Sequence, residues 1–508
     1  MKANKKNTQP IKRSRKARIT SAVLAATLIM NNLPLNELNG VLSPIGKMFS
    51  WFRSTTSISA AAEEITTVDY SPEDFNTIVS HITDNPSTTE YTINSYEQLV
   101  YYSKMYYDYA DTSTIRDHST DILNIGFTSA TNVDYSGFYS IGTSLKPFKG
   151  TIKIADAASS NMNISVPLFN FVDVTAQITN GTTSQQLAFT RTASGNAPLF
   201  ANHVVNTTST AAEADWKIVL NVFNDGTDDW DYSYSGLIGD IASSSKVKVE
   251  FTNNGYTADA IIDVAGSSDV GLFCGLLGAN STLTAILNTG TNTNYTVSTS
   301  NGAAGGIVGK MNNSSKLILS GSGFGGITQS VSGTTYAGGI VGEAHDAYIG
   351  AVDTENPSSM SITSAFHTTK TTVSGNMAAG YLFGYYEASS DKSISVDSGF
   401  TNTVVFAENN AQSNVGAYFG ILETTDTVGS IFSFDGGMDT LTESTNFSNV
   451  RKSITTQFEI TNSVASEGGV IGTYKTSSLL NTLSISNTYA YNDNVKDVKK
   501  YGIIGTSK

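Results

Sequence analysis

From residue 235 onward, short apolar runs recur at near-regular intervals, each closed by a glycine. SGLIG ends at Gly239, GLFCG at Gly275, AAGGIVG at Gly309 and YAGGIVG at Gly342. AAGYLFG then ends at Gly384, VGAYFG at Gly420, EGGVIG at Gly472 and YGIIG at Gly505. Successive closing glycines lie 36, 34, 33, 42, 36, 52 and 33 residues apart. PLFNF around Asn170 is a degenerate first copy, 69 residues, or close to two periods, before Gly239. A polar turn and a second apolar run follow most copies: 244–251, 281–287, 314–321, 391–398 and 477–486. Several of these alternate apolar and polar residues, the period of a strand with one buried face. Each repeat thus offers two or three short strands separated by Gly, Ser and Asn turns, and no helical period of any length follows residue 112.

A five-residue strand cannot bury an apolar face alone. Stacking one repeat on the next pairs each strand with its equivalent at about 4.8 Å and joins the inward side chains into apolar ladders. The expected fold is therefore all-β, a parallel β-helix. The closing glycines are expected at sharp corners, where positive φ or close backbone approach is needed. GAAGGIVGK at 302–310 lacks the Gly-Lys-Ser/Thr ending and the following helix of a nucleotide loop, which excludes that reading. The intervals of 42 and 52 carry insertions, Asp353–Met360 and Met438–Arg451, expected as loops on one face.

The chain before the repeats differs. Residues 71–83 predict a short helix, with Ser71 as cap, Pro72 at its first position and Glu73 and Asp74 in its first turn. Residues 94–110 predict a second, opened by the capping pair Ser95 and Gln98, with Leu99, Tyr102, Met105 and Tyr106 on one face. Its tyrosines 101, 102, 106, 107 and 109 suit core contact with solvated hydroxyls better than a ligand platform. Residues 121–127 predict a strand, followed by FYSIGTSLKPFKGTIKI over 138–154.

That order, a helix with Tyr96-Glu97-Gln98-Leu99, then Ile141-Gly142-Thr143, then Pro147-Phe148-Lys149-Gly150-Thr151, then eight Gly-ended motifs, resembles the GLUG-type repeat proteins of bacterial surfaces. The resemblance covers roughly residues 92–508. It implies a right-handed parallel β-helix with a short N-terminal helical cap, export, and an adhesin-like surface role. The sequence departs from the family after Thr151, where Ile152-Lys153-Ile154 stands, and residues 171–235 carry no clean copy. A cap has a physical purpose, since the first coil of such a stack exposes unpaired backbone groups and an apolar cross-section. No comparable cap is legible at the other end, so the chain is expected to be truncated at its C-terminus or to dock its last coil elsewhere.

Charge divides the sequence. Residues 1–62 hold ten Lys/Arg and one acidic residue, Glu37; the whole chain is −14, leaving about −23 on residues 63–508. The basic stretch precedes an apolar run, Ile19–Met30, too short for a membrane span, in the order of an export signal. The expected organisation is a leader over 1–62, a helical cap and lead-in region over 63–135, and β-helix repeats over 136–508. The acidic body argues against nucleic acid as partner. No membrane span is expected in the mature chain.

Candidate chemistry is sparse. His81, His118, His203, His345 and His367 follow no paired metal-ligand spacing, and His345 is expected as an exposed turn residue. Asp225, Asp228, Asp229 and Asp231, around Trp230, are the one candidate Ca²⁺ cluster, although the segment follows neither known calcium-loop pattern. Cys274, the single cysteine, lies in an apolar run and reads as a buried small hydrophobe. No catalytic site and no cofactor are expected. Beyond residue 62 only Arg116, Arg191 and Arg451 could neutralise a uronate, and they are far apart. The expected role is a secreted or cell-surface binding or spacer module, non-catalytic, touching a host surface, glycan or matrix protein. The alternatives are a β-helix polysaccharide lyase or hydrolase, or the non-catalytic part of a larger secreted peptidase.

Overall fold

A computed structural model of the chain describes residues 90–93, 98–100, 102–103, 106, 118–125, 138–154, 166–179, 186–190, 197–208, 212–221, 232–254, 261–289, 294–320, 328–353, 358–363, 370–396, 402–406, 413–426, 429–435, 456–460, 466–486 and 504–508. The chain divides into Met1–Ile65 and Thr66–Lys508, and every described residue belongs to the second unit. The expected leader, the helix over 71–83 and the insertion Met438–Arg451 lie outside the described residues.

Among the described residues the fold is all-β. The strands form six sheets, and every pairing between named strands is parallel. The chain visits the sheets in a repeating order. Ile261–Gly266 belongs to a seven-stranded sheet, Val270–Gly271 to a sheet of very short strands, Cys274–Leu277 to a ten-stranded long sheet and Thr282–Thr289 to a side sheet. Asn294–Thr299 then returns to the seven-stranded sheet, in register beside Ile261–Gly266. The long sheet runs from Phe169–Asp173 to Ile504–Ser507. The side position is shared by two sheets. One ends with Tyr348–Gly350 and the other begins with Ser359–Ile362. The insertion expected over Asp353–Met360 therefore ends inside a strand, where one side sheet gives way to the next.

The inward rows explain why these runs are strands. In the long sheet the first row reads Ala201, Ile238, Cys274, Val308, Val341, Phe383, Phe419 and Ile471, all buried. The fourth reads Ile241, Leu277, Met311, Ala344, Tyr386, Leu422 and Tyr474, also buried. Burying each large apolar side chain contributes about 1.5–3 kcal/mol. Stacked Phe383 and Phe419, with ring centroids 5.7 Å apart, show how one row becomes a continuous column. Cys274 belongs to the first row; burial pushes its thiol up, which suits a packing residue.

The closing glycines are not corners. Gly239, Gly275, Gly309, Gly342, Gly384, Gly420, Gly472 and Gly505 are each the second residue of a long-sheet strand, and none has a positive φ. The other half of the expectation, close backbone approach, is what they provide. A Cβ at Gly309 would lie 2.4 Å from the Val270 nitrogen, and one at Gly384 would lie 2.6 Å from the Ala337 nitrogen. From Gly309 to Gly472 part of the obstructing backbone belongs to the short-strand sheet, which carries its own glycine ladder (Gly271, Gly305, Gly338, Gly380, Gly416 and Gly468), and part to the glycine carbonyl of the preceding rung, such as Gly275 for Gly309 and Gly342 for Gly384, each at 2.7 Å. The corner itself is the two-residue bend between the two strands, such as Gly306-Ile307.

Positive φ occurs instead at the turn after the long sheet, on Ser244 (63°), Asn280 (57°), Ser314 (58°) and Asp346 (44°). Short polar side chains tolerate that conformation.

The first long-sheet rungs carry no glycine. Phe169–Asp173 and Ala201–Val205 place Asn170 and Asn202 in the glycine column, with the Asn202 side-chain amide donating to Asn170 Oδ1 at 3.1 Å. No short strand lies beside these rungs among the described residues, so a side chain fits there. The copy missing between Asn170 and Gly239 is thus Pro198-Leu199-Phe200-Ala201-Asn202.

Residues 138–154 pack onto the first of these rungs. Ile141 bridges Phe169, Phe148 bridges Val172, and both are fully buried. Gly142 (φ 91°) turns against the Phe171 carbonyl. Thr151–Ile154 is a strand between Ile122–Ile125 and Gln177–Thr179. Residues 98–100, 102, 103 and 106 are helical, but no helical cap is evident among the described residues. Tyr102 and Tyr106 are core residues, their hydroxyls donating to Asp121 and to the Lys146 carbonyl.

Candidate functional site

The outward rows of the long sheet hold most of the chemistry. The third residue of each strand forms one such row: Phe171, His203, Asp240, Leu276, Lys310, Glu343, Tyr385, Ile421 and Thr473. The fifth contributes His345, Glu387, Glu423 and Lys475 in register. Beyond the second-position glycine, where the pairing register skips a residue, alternation sets the third and fifth residues on the face opposite the buried fourth, and parallel register lines them up across repeats.

Two clusters result. In the later rungs, His345 bridges two strands. Its Nε2 bonds Glu343 Oε1 at 2.7 Å and its Nδ1 bonds Glu387 Oε2 at 2.9 Å. Lys310 Nζ donates to the same Glu343 oxygen at 2.7 Å. The Tyr385 hydroxyl donates to Glu387 at 3.3 Å and to Glu423 at 3.1 Å, and Lys475 pairs with Glu423 at 3.4 Å. Tyr336 stacks on Tyr385 with centroids 5.0 Å apart. The hydrogen bond to Glu343 raises the His345 pKa, burial opposes it, and Glu387 adds to the rise. Burial pushes the Glu343 carboxyl up, but the bonds from His345 and Lys310 outweigh it and hold the group below its usual range. Burial, then Glu423 and Glu387, push Tyr385 up, so it stays a donor. Every charge here has a partner, and the cluster ties rungs together.

The sequence expectation for His345 is corrected. It ends a strand, its side chain is 24% exposed, and it lies between two carboxylates because the strand continues past the glycine.

The second cluster lines a groove of about 320 Å³ on the earlier rungs. Asn202, His203, Gly239, Asp240 and Leu276 come from the long sheet; Pro198 and Ser235 precede its strands; Ser267, Ser268 and Asp269 lead into the short-strand sheet. The groove is a step. Upstream of Val270 the short-strand sheet has no described strand, and among the described residues the groove lies there. His203 Nδ1 lies 2.5 Å from Asp240 Oδ2, and its ring stacks on Phe171 at 4.3 Å. Asp269 Oδ1 accepts the Ala303 N–H at 2.8 Å; burial raises its pKa against that bond.

The calcium candidates Asp225, Asp228, Asp229 and Asp231 lie outside the described residues. Among the described residues no group of three or more His, Cys, Asp or Glu is arranged to hold a metal ion, and no helix is long and apolar enough to cross a membrane. GAAGGIVGK forms two strands and the bend between them, with no helix to follow. Sequence reasoning missed both clusters. The signal was available in columns: one and three positions after the glycine stand Lys310, Glu343 and Tyr385, then His345, Glu387, Glu423 and Lys475.

Comparison with protein-family models, curated proteins and solved structures finds no match to the chain.

Proposed function

We propose that the chain is a GLUG-type, exported surface protein whose body is a right-handed parallel β-helix acting as an adhesin-like binding or spacer module. One observation carries this reading: each strand of a repeat pairs in parallel register with the equivalent strand of the next, up to ten strands deep. Such stacking separates two tasks. Inward rows hold the fold, and outward rows are free to display side chains along an extended face. The N-terminal order of basic, apolar and small residues supports export. In the later rungs the outward charges are paired, Lys310 and His345 with Glu343, His345 with Glu387 and Lys475 with Glu423, which suits a stable display face.

The test uses the full chain expressed in a bacterium with a general secretion pathway. Fractionation should recover it outside the cytoplasm, shortened at its N-terminus. Far-ultraviolet circular dichroism should show β structure with little helix. Purified protein should coat cells or matrix-covered surfaces. Retention of the intact chain inside the cell, a helix-dominated spectrum, or release of unsaturated uronates from pectin-like polymers would each overturn the reading.

A further inference from the structure

We propose that the groove ahead of Val270 binds a neutral, hydroxyl-rich sugar unit. This deepens the binding-module reading and rests on it.

The groove is small for a ligand site, so it suits one compact unit and not a length of peptide. Gly239 leaves its floor without a side chain, since a Cβ there would meet the Asn202 carbonyl at 2.6 Å and Pro198 at 3.2 Å. Pro198 and Leu276 supply apolar wall. The polar groups are held in place: His203 is clamped between the Phe171 ring and the Asp240 carboxylate, and Asp269 is anchored by the Ala303 N–H. The hydroxyls of Ser235, Ser267 and Ser268 have no hydrogen-bond partner among the described residues. The groove thus offers fixed acceptors, free hydroxyls and an apolar patch together. Sugar hydroxyls, each both donor and acceptor, match that set.

Charge decides against an anion. Among the described residues two carboxylates line the groove and no Lys or Arg does. The Lys310 ammonium, which acts on Asp269, is already paired with Glu343 at 2.7 Å. A uronate or phosphate would meet like charge without a free cation.

The test titrates the full chain with neutral oligosaccharides (gluco-, manno- and galacto-linked) and with oligogalacturonate, read by calorimetry and saturation-transfer NMR. At least one neutral series should bind and oligogalacturonate should not. Asp240→Asn should weaken binding about tenfold. Ser267→Trp, at an exposed position, should fill the groove and abolish binding with the melting temperature unchanged. Glu423→Gln, elsewhere on the same sheet, should bind as the parent does. The proposal is overturned if no neutral series binds, if only the acidic one binds, or if neutral binding survives both groove variants. In each case attachment of the chain to cells still judges the wider reading, because that assay does not depend on this groove.

Discussion

Gly305 and Gly342 sit back to back across the corner between the short-strand sheet and the long sheet. A Cβ on Gly305 would lie 2.8 Å from the Gly342 nitrogen, and one on Gly342 would lie 2.7 Å from the Ala304 carbonyl oxygen. Both obstacles are backbone, which cannot swing aside as a side chain can. Gly342→Ala should therefore cost about 3 kcal/mol or more, at the upper end of overpacking penalties. Asn202→Ala, in the same column but with no short strand beside it, should cost under about 1 kcal/mol. Urea denaturation of both variants checks the pair, and equal losses would refute the two-sheet account of the glycines.

The turn after the long sheet makes a different demand. Ser314 holds φ at 58° and Asn280 holds 57° at the equivalent place one repeat earlier. Ser314→Val should cost about 1–2 kcal/mol, because a branched Cβ clashes in the left-handed region. Ser314→Asn should be neutral or slightly stabilising. Thermal melts order the three proteins. A valine variant as stable as the parent would mean that the turn is not left-handed.

The repeat was legible in the sequence because burial writes a period. Alternation over 244–251, 281–287, 314–321 and 391–398 marks real strands, each found within these limits or overrunning them by a few residues. The glycine spacing marks real rungs. The glycines' need for close backbone approach was legible, but not which backbone they approach, because one strand's pattern does not record what lies against it. The rungs at Asn170 and Asn202 carry side chains in the glycine column, where among the described residues no short strand abuts them. The groove was hidden for a related cause. It forms where a sheet begins, and its residues come from segments on either side of the missing strand. The Lys310–Glu343–His345–Glu387 chain needed register, which becomes visible only when the repeats are aligned on the glycine.

Three serines in one column separate a satisfied hydroxyl from an unsatisfied one. Ser245, Ser281 and Ser315 are all fully buried, and Ala347 takes the next place. Ser315 donates to the Asn312 carbonyl at 2.6 Å and Ser281 to the Gly278 carbonyl. Ser245 Oγ has no partner among the described residues. Ser315→Ala should cost about 1 kcal/mol, the net worth of a buried hydrogen bond. Ser245→Ala should cost nothing or stabilise, since it removes a buried polar atom without breaking a bond. Chemical denaturation curves of the two variants should part in that order.

The His345 bridge predicts a pH window. Its pKa in the folded chain is raised above the ordinary 6.5, so its stabilising contribution is complete below that value and fades as pH climbs through the folded pKa. Glu343 runs the other way. Its folded pKa is lowered from 4.5, so its contribution is complete above 4.5 and is lost as pH falls through the folded value. The bridge is therefore fully charged between about 4.5 and 6.5, with both imidazole N–H groups donating to carboxylates. His345→Gln keeps one donor and removes the charge. It should melt below the parent at pH 5.5 and approach it at pH 9, where the parent's imidazole is neutral and can donate from only one nitrogen. Both groups are partly exposed, so solvent screening keeps the gap modest and 1 M salt should narrow it further. A gap that is constant with pH would mean that His345 acts by packing alone, and a gap that widens toward pH 9 would reverse the sign of the linkage.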